Sequence, residues 1–236
     1  MPDRFFAPSC SESGTLTLDG PEAHHLMHVL RIAPGEQVEV FDGRGLVVSA
    51  EVVALRKRDV ELRVMAARRE PSPTREVILG TAVPKGDRFD WLIEKATELG
   101  VTRLVPLVTS RSSVDPRDSK LDKLRQTVIA ACKQCGRNQL LEISPVTAWA
   151  DFVRSELPHR AAFIAHPSSD ASPLSPGLLT LGHQSSTVFA IGPEGGFTDE
   201  EVALAVASGA KPVSLGQLVL RIETAAIAVA ALAAAR

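Results

Sequence analysis

The sequence predicts two domains, a small β-rich barrel over residues 1–71 and an α/β domain over residues 72–236. Two observations support this prediction. Short runs of alternating apolar and polar residues fill the first part, whereas apolar strands alternate with helix-like segments in the rest. The change falls at Glu70-Pro71-Ser72-Pro73-Thr74, where two prolines disfavour helix continuation.

The N-terminal part is expected to contain a β-hairpin and one short helix. Strands are predicted over Gln37–Phe41 and 46–53, on either side of Asp42-Gly43-Arg44-Gly45. Glycine supplies the positive φ that such a tight turn needs. A third strand is predicted over 60–64 and a helix over 21–30. Together these elements predict the small barrel.

The second part alternates strands with helices, a pattern that is typical of a mostly parallel sheet. Strands are predicted over 76–82, Arg103–Val108, Ala161–Ala165, 186–191 and 212–215. Helices are predicted over 88–99, Leu121–Cys135 and 199–208, the last capped by Thr198 and stopped by Gly209, and an alanine-rich helix is predicted to begin at Glu223.

Composition excludes several classes of protein. Hydrophobic residues make up 44% and charged residues 23%, which excludes a disordered or fibrous chain. A net charge of -2 excludes a uniformly basic coat, although residues 71–145 carry an excess of basic over acidic side chains. That excess indicates either a phosphate-facing surface or solvated helix faces. Three cysteines and no charged, apolar leader predict a cytoplasmic protein without disulfides or membrane span.

A glycine-rich segment is the sharpest local signal: Ile191-Gly192-Pro193-Glu194-Gly195-Gly196-Phe197-Thr198. It lies between an apolar strand and a capped helix, where open α/β sheets bind small molecules and glycines let the backbone approach a ligand. It matches neither the P-loop nor the dinucleotide fingerprint. A turn that merely needs its glycines remains an alternative interpretation.

A second segment leads from a strand through a loop into the last helix: Leu215-Gly216-Gln217-Leu218-Val219-Leu220-Arg221-Ile222-Glu223-Thr224-Ala225. Its apolar side chains could line a pocket, and a carboxylate at Glu223 suits the positive end of a helix dipole. Arg221 is either a surface cation or a partner of Glu223 or Glu194.

Together, the two segments resemble the motif pair of the bacterial 16S rRNA uridine N3-methyltransferase family, within the SPOUT superfamily of knotted methyltransferases. Further segments resemble that family in the same order: Arg4-Phe5-Phe6, His24-His25-Leu26, Val29-Leu30-Arg31, Lys85-Gly86-Asp87-Arg88, residues 94–100, Arg111-Ser112 and Arg137-Asn138. Two stretches depart from the family pattern, residues 132–137 and 217–222. Neither departure removes Gly216, Arg221 or Glu223.

The resemblance implies a knotted SPOUT-type α/β methyltransferase domain behind a PUA-like RNA-binding barrel, acting as a homodimer. It implies that S-adenosyl-L-methionine is the cofactor and that N3 of a uridine in the 16S rRNA of the small ribosomal subunit is methylated. The cofactor would be bound by Ile191, Gly192, Pro193, Glu194, Gly195, Gly196, Leu215, Gly216, Leu218 and Leu220. His166 follows the predicted strand Ala161–Ala165, where a first pocket loop is expected, and either contacts the cofactor or has no role. RNA would be bound by Arg4, His25, Arg31, Lys85, Arg88, Arg111 and Arg137.

The catalytic residues expected from the resemblance are Arg221, Glu223 and Glu194. Methylation at N3 requires loss of the imide proton, so Arg221 is expected to stabilise the developing anion on a carbonyl oxygen. Glu194 or Glu223 is expected to orient Arg221.

No metal site is expected. Cys132 and Cys135 have the spacing of half a zinc site, but Cys10 is the only other thiol.

Two alternatives to a methyltransferase function stay open. One is a non-catalytic RNA-binding or ribosome-assembly factor with a vestigial pocket. The other is a dinucleotide-binding metabolic enzyme, whose fingerprint is missing from the sequence.

Overall fold

The computed structural model describes residues 2–114, 121–167, 171–174 and 186–234, which divide into two compact units. The first unit comprises Met1–Ser72 and Ile129–Leu140, and the second comprises Pro73–Val128 and Leu141–Arg236. Residues 129–140 therefore belong to the first unit, although the sequence predicts them within the second domain. None of the helices in these described ranges combines the length and apolarity needed to cross a membrane.

The first unit is built on a five-stranded mixed sheet. Its strands are β1 (Arg4–Phe6), β2 (Thr15–Leu18), β3 (Gln37–Phe41), β4 (Leu46–Leu55) and β5 (Val60–Arg69), in the order β1-β3-β4-β5-β2. Only the β1–β3 pair is parallel. The expected hairpin is formed by β3 and β4, while β4 and β5 run further than predicted. β1 and β2 are too short to have been predicted from alternation.

The turn between β3 and β4 forms as its sequence predicts. Oδ1 of Asp42 accepts hydrogen bonds from the backbone nitrogens of Arg44 (2.6 Å) and Leu46 (3.0 Å). Gly43 and Gly45 have φ of 76° and 102°, which a side chain would disfavour. The Asp-Gly-x-Gly signal was therefore sufficient to place this turn.

The expected helix over 21–30 is found as two pieces. Helix α1 (Gly20–His24) continues into a π-helical stretch, His25–Leu30, which ends where Arg31 adopts a left-handed φ of 57°. Within the stretch, Leu26 is fully buried in the core, whereas Val29 is exposed. A π-helical turn adds a residue relative to an α-helix, which periodicity alone does not reveal.

Side chains from β1 and α1 explain why residues 129–140 belong to the first unit. Nη1 of Arg4 donates to the carbonyl oxygen of Cys132 at 2.9 Å. Nζ of Lys133 lies 2.9 Å from Oε2 of Glu22. Both contacts are mostly shielded from solvent, and charge-assisted hydrogen bonds of this kind are stronger than neutral ones.

The second unit contains an eight-stranded sheet whose pairs are all parallel, so the predicted α/β architecture is confirmed. The strands are β6 (Val77–Ala82), β7 (Arg103–Val108), β8 (Glu142–Ile143), β9 (Thr147–Ala148), β10 (Ala161–Ala165), β11 (Ser172–Pro173), β12 (Thr187–Ile191) and β13 (Lys211–Ser214). They are ordered β11-β13-β10-β12-β6-β7-β8, with β9 also paired to β7.

Helices α2 (Arg88–Glu98), α4 (Trp149–Glu156), α5 (Asp199–Ala207) and α6 (Ile222–Ala234) belong to the second unit, and α3 (Leu121–Cys135) runs from the second unit into the first. Only α4 was not predicted. Its first turn places Trp149 and Phe152 in a core with Phe197 and Val188. The described helices otherwise begin and end within about one residue of the expected bounds.

Candidate active site

Three strand ends define the candidate site. Strands β10, β12 and β13 are parallel neighbours, and their register places Ala165 opposite both Ile191 and Val213. The loops that follow these residues therefore begin side by side at the carboxyl-terminal ends of the strands, with neighbouring strands about 4.8 Å apart. Open α/β sheets bind ligands just beyond the carboxyl-terminal ends of their strands.

These loops enclose a pocket of about 350 Å³. Its lining includes every residue predicted to bind the cofactor: His166, Ile191, Gly192, Pro193, Glu194, Gly195, Gly196, Leu215, Gly216, Leu218 and Leu220. The structure thus brings together three segments that lie up to fifty residues apart in the sequence. Apolar surface predominates in the lining, as expected for a small-molecule site.

The glycine-rich loop needs its glycines for two different reasons. Gly196 has φ of 69°, a left-handed conformation in which a side chain is strained. A Cβ on Gly192 would lie 3.0 Å from two ring carbons of Phe197. The loop can therefore pass close to the pocket only with these residues.

Helix α5 begins immediately after the loop and fixes its position. Oγ1 of Thr198 accepts from the backbone nitrogen of Glu201 at 3.2 Å, and Oε2 of Glu201 accepts from the backbone nitrogen of Thr198 at 2.9 Å. This capping box was predictable from the Thr-x-x-Glu spacing.

Glu201 also joins the loop to the end of β7, a contact that no sequence motif predicts. Its carboxylate is buried, and Oε1 accepts from the backbone nitrogen of Ser110 at 2.8 Å. Nε1 of Trp149 donates to the carbonyl oxygen of Glu201 at 3.1 Å. One buried side chain therefore holds the glycine-rich loop and residues 109–112 together.

His166 contributes a polar atom to the pocket. Its backbone nitrogen donates to the carbonyl oxygen of Val213 at 3.1 Å, which fixes the start of the loop. Its Nδ1 is buried and has no hydrogen-bond partner among the described residues. A buried nitrogen without a hydrogen-bond partner costs about 1–3 kcal/mol of stability. Nδ1 of His166 is therefore suited to a hydrogen bond with a polar group of a ligand.

A second cavity, an open cleft of about 550 Å³, is lined by Lys85, Arg88, Arg111, Ser113, Glu194, Gly195 and Arg221. Of these, Arg111, Glu194 and Gly195 also line the pocket, so the two cavities share a wall. Four cations and one carboxylate give the cleft a positive charge, which suits phosphate groups. We call it the cationic cleft.

The four cations of the cleft differ in how they are held. Nε of Arg88 donates to the carbonyl oxygen of Lys85 at 3.1 Å, and Nη1 of Arg111 donates to that of Gly195 at 2.8 Å. In the described part of the chain, the exposed side chains of Lys85 and Arg221 have no such partner. Lys85 and Arg221 are therefore the cations most available to a ligand.

Glu223 does not orient Arg221 as expected. Its side chain is only 9% exposed, and its Oε1 lies 3.5 Å from Nη1 of Arg88. Its Oε2 is buried without a hydrogen-bond partner among the described residues. Glu194 is exposed and lines both cavities. Of the three expected catalytic residues, Arg221 and Glu194 line the cleft, whereas Glu223 does not line it and contacts Arg88 instead.

Arg4 was expected on an RNA-binding surface, and the structure contradicts this. Its side chain is 3% exposed and forms an ion pair with Glu39 at 2.6 Å. It also donates to Oδ1 of Asn138 and to the carbonyl oxygen of Cys132. A buried guanidinium with three protein partners is structural, and only its position in an RNA-methyltransferase-like motif suggested otherwise.

The other expected RNA-binding residues of the first unit are more accessible. Arg31 is exposed, and His25 and Arg137 are half-buried. Nδ1 of His25 lies 3.5 Å from Nζ of Lys133. Burial lowers the pKa of the Arg137 guanidinium from its ordinary value. Lys85, Arg88 and Arg111 lie in the second unit, in the cationic cleft.

The cysteines are free thiols. Cys132 is buried and Cys135 is exposed at the end of α3. Burial, reinforced by the negative charge of Asp42, raises the pKa of the Cys10 thiol to about 11. Within the described ranges, no group of three or more His, Cys, Asp or Glu side chains is arranged to hold a metal ion.

Comparison with known families agrees with this geometry. Residues 70–234 match the RNA methyltransferase domain family, and residues 18–65 match the RNA methyltransferase PUA domain family. The first match contains both cavities, and the second contains most of the five-stranded sheet.

Individual relatives cover almost the whole chain. The ribosomal RNA small subunit methyltransferase E of Synechocystis is 34% identical over 93% of this chain and 72% of its own length. A Legionella pneumophila structure with bound S-adenosylmethionine is 32% identical, with a TM-score of 0.86, and covers 100% of this chain and 98% of its own. The Neisseria gonorrhoeae ribosomal RNA small subunit methyltransferase E, also bound to S-adenosylmethionine, is 31% identical, with a TM-score of 0.86 and coverage of 98% and 95%. The chain therefore belongs to the RNA methyltransferase family that includes the ribosomal RNA small subunit methyltransferases E.

Proposed function

We propose that this chain transfers a methyl group from S-adenosyl-L-methionine to N3 of a uridine in the 16S rRNA of the small ribosomal subunit. The observation that carries the proposal is the shared wall between the pocket and the cationic cleft, formed by Arg111, Glu194 and Gly195. A cofactor in the pocket and a nucleotide in the cleft would meet at this wall. The cofactor-bound Legionella and Neisseria structures support the choice of cofactor.

The pocket fits S-adenosylmethionine on three grounds. The buried, unpartnered Nδ1 of His166 offers a hydrogen bond to a polar group. Gly192 and Gly196 let the backbone approach a ligand closely. The loop from Leu215 to Leu220 adds apolar walls. When bound, the cofactor supplies an electrophilic methyl group, so the protein needs no covalent nucleophile.

The contribution of this chain is to bind, orient and stabilise the substrate. Arg221 is exposed in the cleft and its guanidinium has no hydrogen-bond partner among the described residues, so it is available to a carbonyl oxygen of uracil. Negative charge develops on that oxygen as the N3 proton is lost to solvent water, and a fixed cation stabilises it. Glu194 lies at the shared wall, where it would help to orient Arg221 or the base.

RNA binding would use both units. Lys85, Arg88 and Arg111 supply positive charge in the cleft, and Arg31, His25 and Arg137 supply it in the PUA-type unit. Phosphate contacts of this kind position RNA without reading its sequence. We assign cofactor binding to the second unit and RNA binding to both the PUA-type unit and the cationic cleft.

The proposal includes the trefoil knot and the homodimer that the resemblance implies. Leu218 and Val219 in the pocket loop are 81% and 90% exposed, and a second copy covering them would remove apolar surface from water. Light scattering tests the dimer: a dimer that dissociates when both residues are replaced by serine is expected.

The decisive experiment for function measures transfer of labelled methyl from S-adenosylmethionine to small ribosomal subunits that lack the modification, followed by nucleoside analysis. N3-methyluridine in the 16S rRNA is the expected product. A different methylated nucleoside would contradict the proposed site of transfer. Absence of both transfer and cofactor binding would favour the non-catalytic RNA-binding factor.

A further inference from the structure

Arg111 occupies a particular position at the wall between the two cavities. It is the only cation that lines both the pocket and the cleft among the described residues. Its side chain is exposed, although its aliphatic stem lies against Gly195. A Cβ on Gly195 would come within 3.3 Å of Cδ and 3.4 Å of Cβ of Arg111. The glycine therefore gives the arginine room to lie along the loop.

The guanidinium uses only one of its nitrogens to hold the glycine-rich loop. Nη1 donates to the carbonyl oxygen of Gly195 at 2.8 Å and lies 3.5 Å from that of Phe197. Nε and Nη2 have no hydrogen-bond partner among the described residues. A guanidinium has five N–H groups in a planar fork and commonly binds phosphate through two of them.

The segment that carries Arg111 is itself fixed. The backbone nitrogen of Thr109 donates to Oγ of Ser112 at 2.9 Å, and that of Ser110 donates to the buried Oε1 of Glu201. The other oxygen of Glu201, Oε2, accepts from the backbone nitrogen of Thr198, directly after the glycine-rich loop. The segment that carries Arg111 and the residue that follows the loop are thus hydrogen-bonded to the same buried carboxylate.

We propose that Arg111 is a positioning residue that couples RNA binding to cofactor binding. A phosphate of the RNA binds Nε and Nη2, which fixes the guanidinium with Nη1 directed at the carbonyl oxygens of the loop. The loop is thereby held in the conformation that forms the pocket. Because coupling between two ligands is reciprocal, each ligand then tightens the binding of the other.

This inference rests on the proposed function, and it is tested by binding rather than turnover. The probe is labelled S-adenosylhomocysteine, which carries no methyl group to transfer. Its Kd is measured by equilibrium dialysis with the full chain alone and with saturating, unmodified small ribosomal subunits. The ratio of the two Kd values is the coupling factor. For the wild-type chain we expect tightening by about five-fold or more.

Three variants distinguish the contributions of the planar guanidinium of Arg111, of its positive charge and of overall RNA affinity. Arg111→Ala should bring the coupling factor close to one. Arg111→Lys keeps the charge but loses the fork, so its coupling factor should fall well below that of the wild type. Lys85→Ala is the control: Lys85 lines the cleft but not the pocket, so more subunits are needed for saturation while the coupling factor is retained. A melting curve shows that each variant is folded.

Two results would overturn the inference. One is a wild-type coupling factor of one, and the other is a wild-type factor that survives in both Arg111 variants. Methyl transfer by the wild-type chain, measured in parallel, separates the two proposals. Transfer without coupling refutes the role of Arg111 alone, whereas a chain that neither transfers methyl nor binds S-adenosylhomocysteine refutes the proposed function as well.

Discussion

The carboxylate of Glu223 lies against the guanidinium of Arg88, with Oε1 3.5 Å from Nη1. Arg88 begins helix α2 and Glu223 lies in the first turn of α6, so the pair joins the starts of two helices that pack together. A carboxylate is favourable at a helix N-terminus and also offsets the positive charge of Arg88. Glu223 therefore contacts a cation that lines the cationic cleft, although either Glu194 or Glu223 was expected to orient Arg221.

Removing either Arg88 or Glu223 should slow methyl transfer to a similar extent. We expect Glu223→Ala and Arg88→Ala each to lower the single-turnover rate of methyl transfer by about ten-fold, equivalent to about 1.4 kcal/mol. The double variant should lose little more, because residues that act through one contact are not additive. Neither residue lines the pocket, so the Kd for S-adenosylmethionine should stay near the wild-type value. Fully additive losses would show that the two residues act separately.

Arg221 should have the largest effect on the chemical step. If its guanidinium stabilises the imide anion, Arg221→Ala should lower the single-turnover rate by about 100-fold or more with RNA bound. Arg221→Lys should recover part of the rate because it keeps the charge. Lys211→Ala is a suitable control, since this exposed lysine lines neither cavity. An unchanged rate for Arg221→Ala would refute the assignment.

Two glycines with the same backbone strain allow the pocket to be tested separately from stability. Gly196 has φ of 69° and Gly209 has φ of 94°, and a Cβ on either would meet no atom within 4 Å. Alanine at either position should cost about 1 kcal/mol of unfolding free energy. Only Gly196 lines the pocket, so only Gly196→Ala should also weaken S-adenosylmethionine binding in a calorimetric titration. Equal Kd values for the two variants would argue against this pocket.

The sequence was most informative where local chemistry decides the structure. The Asp-Gly-x-Gly turn, the Thr198 cap of α5 and the alternation of strands and helices each depend on neighbouring residues, and each was predictable. The residues predicted to bind the cofactor also line one pocket, because parallel neighbouring strands end on the same side of the sheet. Here the sequence motifs and the sheet topology predict the same pocket.

The partners of buried charges could not be predicted in the same way. Arg4 lies 128 residues from Cys132, Arg88 lies 135 residues from Glu223, and Ser110 lies 91 residues from Glu201. Which of several cations meets a given carboxylate depends on tertiary packing, and no periodicity records it. A motif therefore identified Arg4 and Glu223 as important without revealing that both are buried.

The burial of Arg4 leads to a prediction that separates structural from RNA-binding arginines. Arg4→Ala leaves Glu39 without its buried partner and should lower the unfolding free energy by about 3 kcal/mol. Arg31 is exposed, so Arg31→Ala should leave stability nearly unchanged but weaken RNA binding. Each lost phosphate contact should flatten the slope of log Kd against log salt by about one. A reduced salt slope for folded Arg4→Lys but not for Arg31→Ala would reverse this assignment.

The pair between Arg103 and Glu156 should make stability depend on pH. Nη1 and Nη2 of Arg103 lie 3.0 and 2.5 Å from Oε1 and Oε2 of Glu156, and the two side chains are only 19% and 13% exposed. The hydrogen bond from Arg103 holds the pKa of Glu156 below its ordinary value. A lowered folded-state pKa means that the pair stabilises the protein above the unfolded-state pKa of about 4.3, and that this stability is lost as the pH falls through the folded-state value.

Glu156→Gln should therefore lower the unfolding free energy by about 2 kcal/mol at neutral pH, with a difference from wild type that shrinks as the pH falls below about 4.3. Urea denaturation from neutral pH to below about pH 4.3 measures the loss of unfolding free energy and its dependence on pH. Asp151→Asn on the same helix is a matched control, because Asp151 and its partner Arg154 are 61% and 74% exposed. An exposed pair of this kind contributes less than about 1 kcal/mol, so this variant should differ little from wild type at neutral pH. A Glu156→Gln difference that stays constant with pH would mean that lost packing, rather than the charge of Glu156, causes the destabilisation.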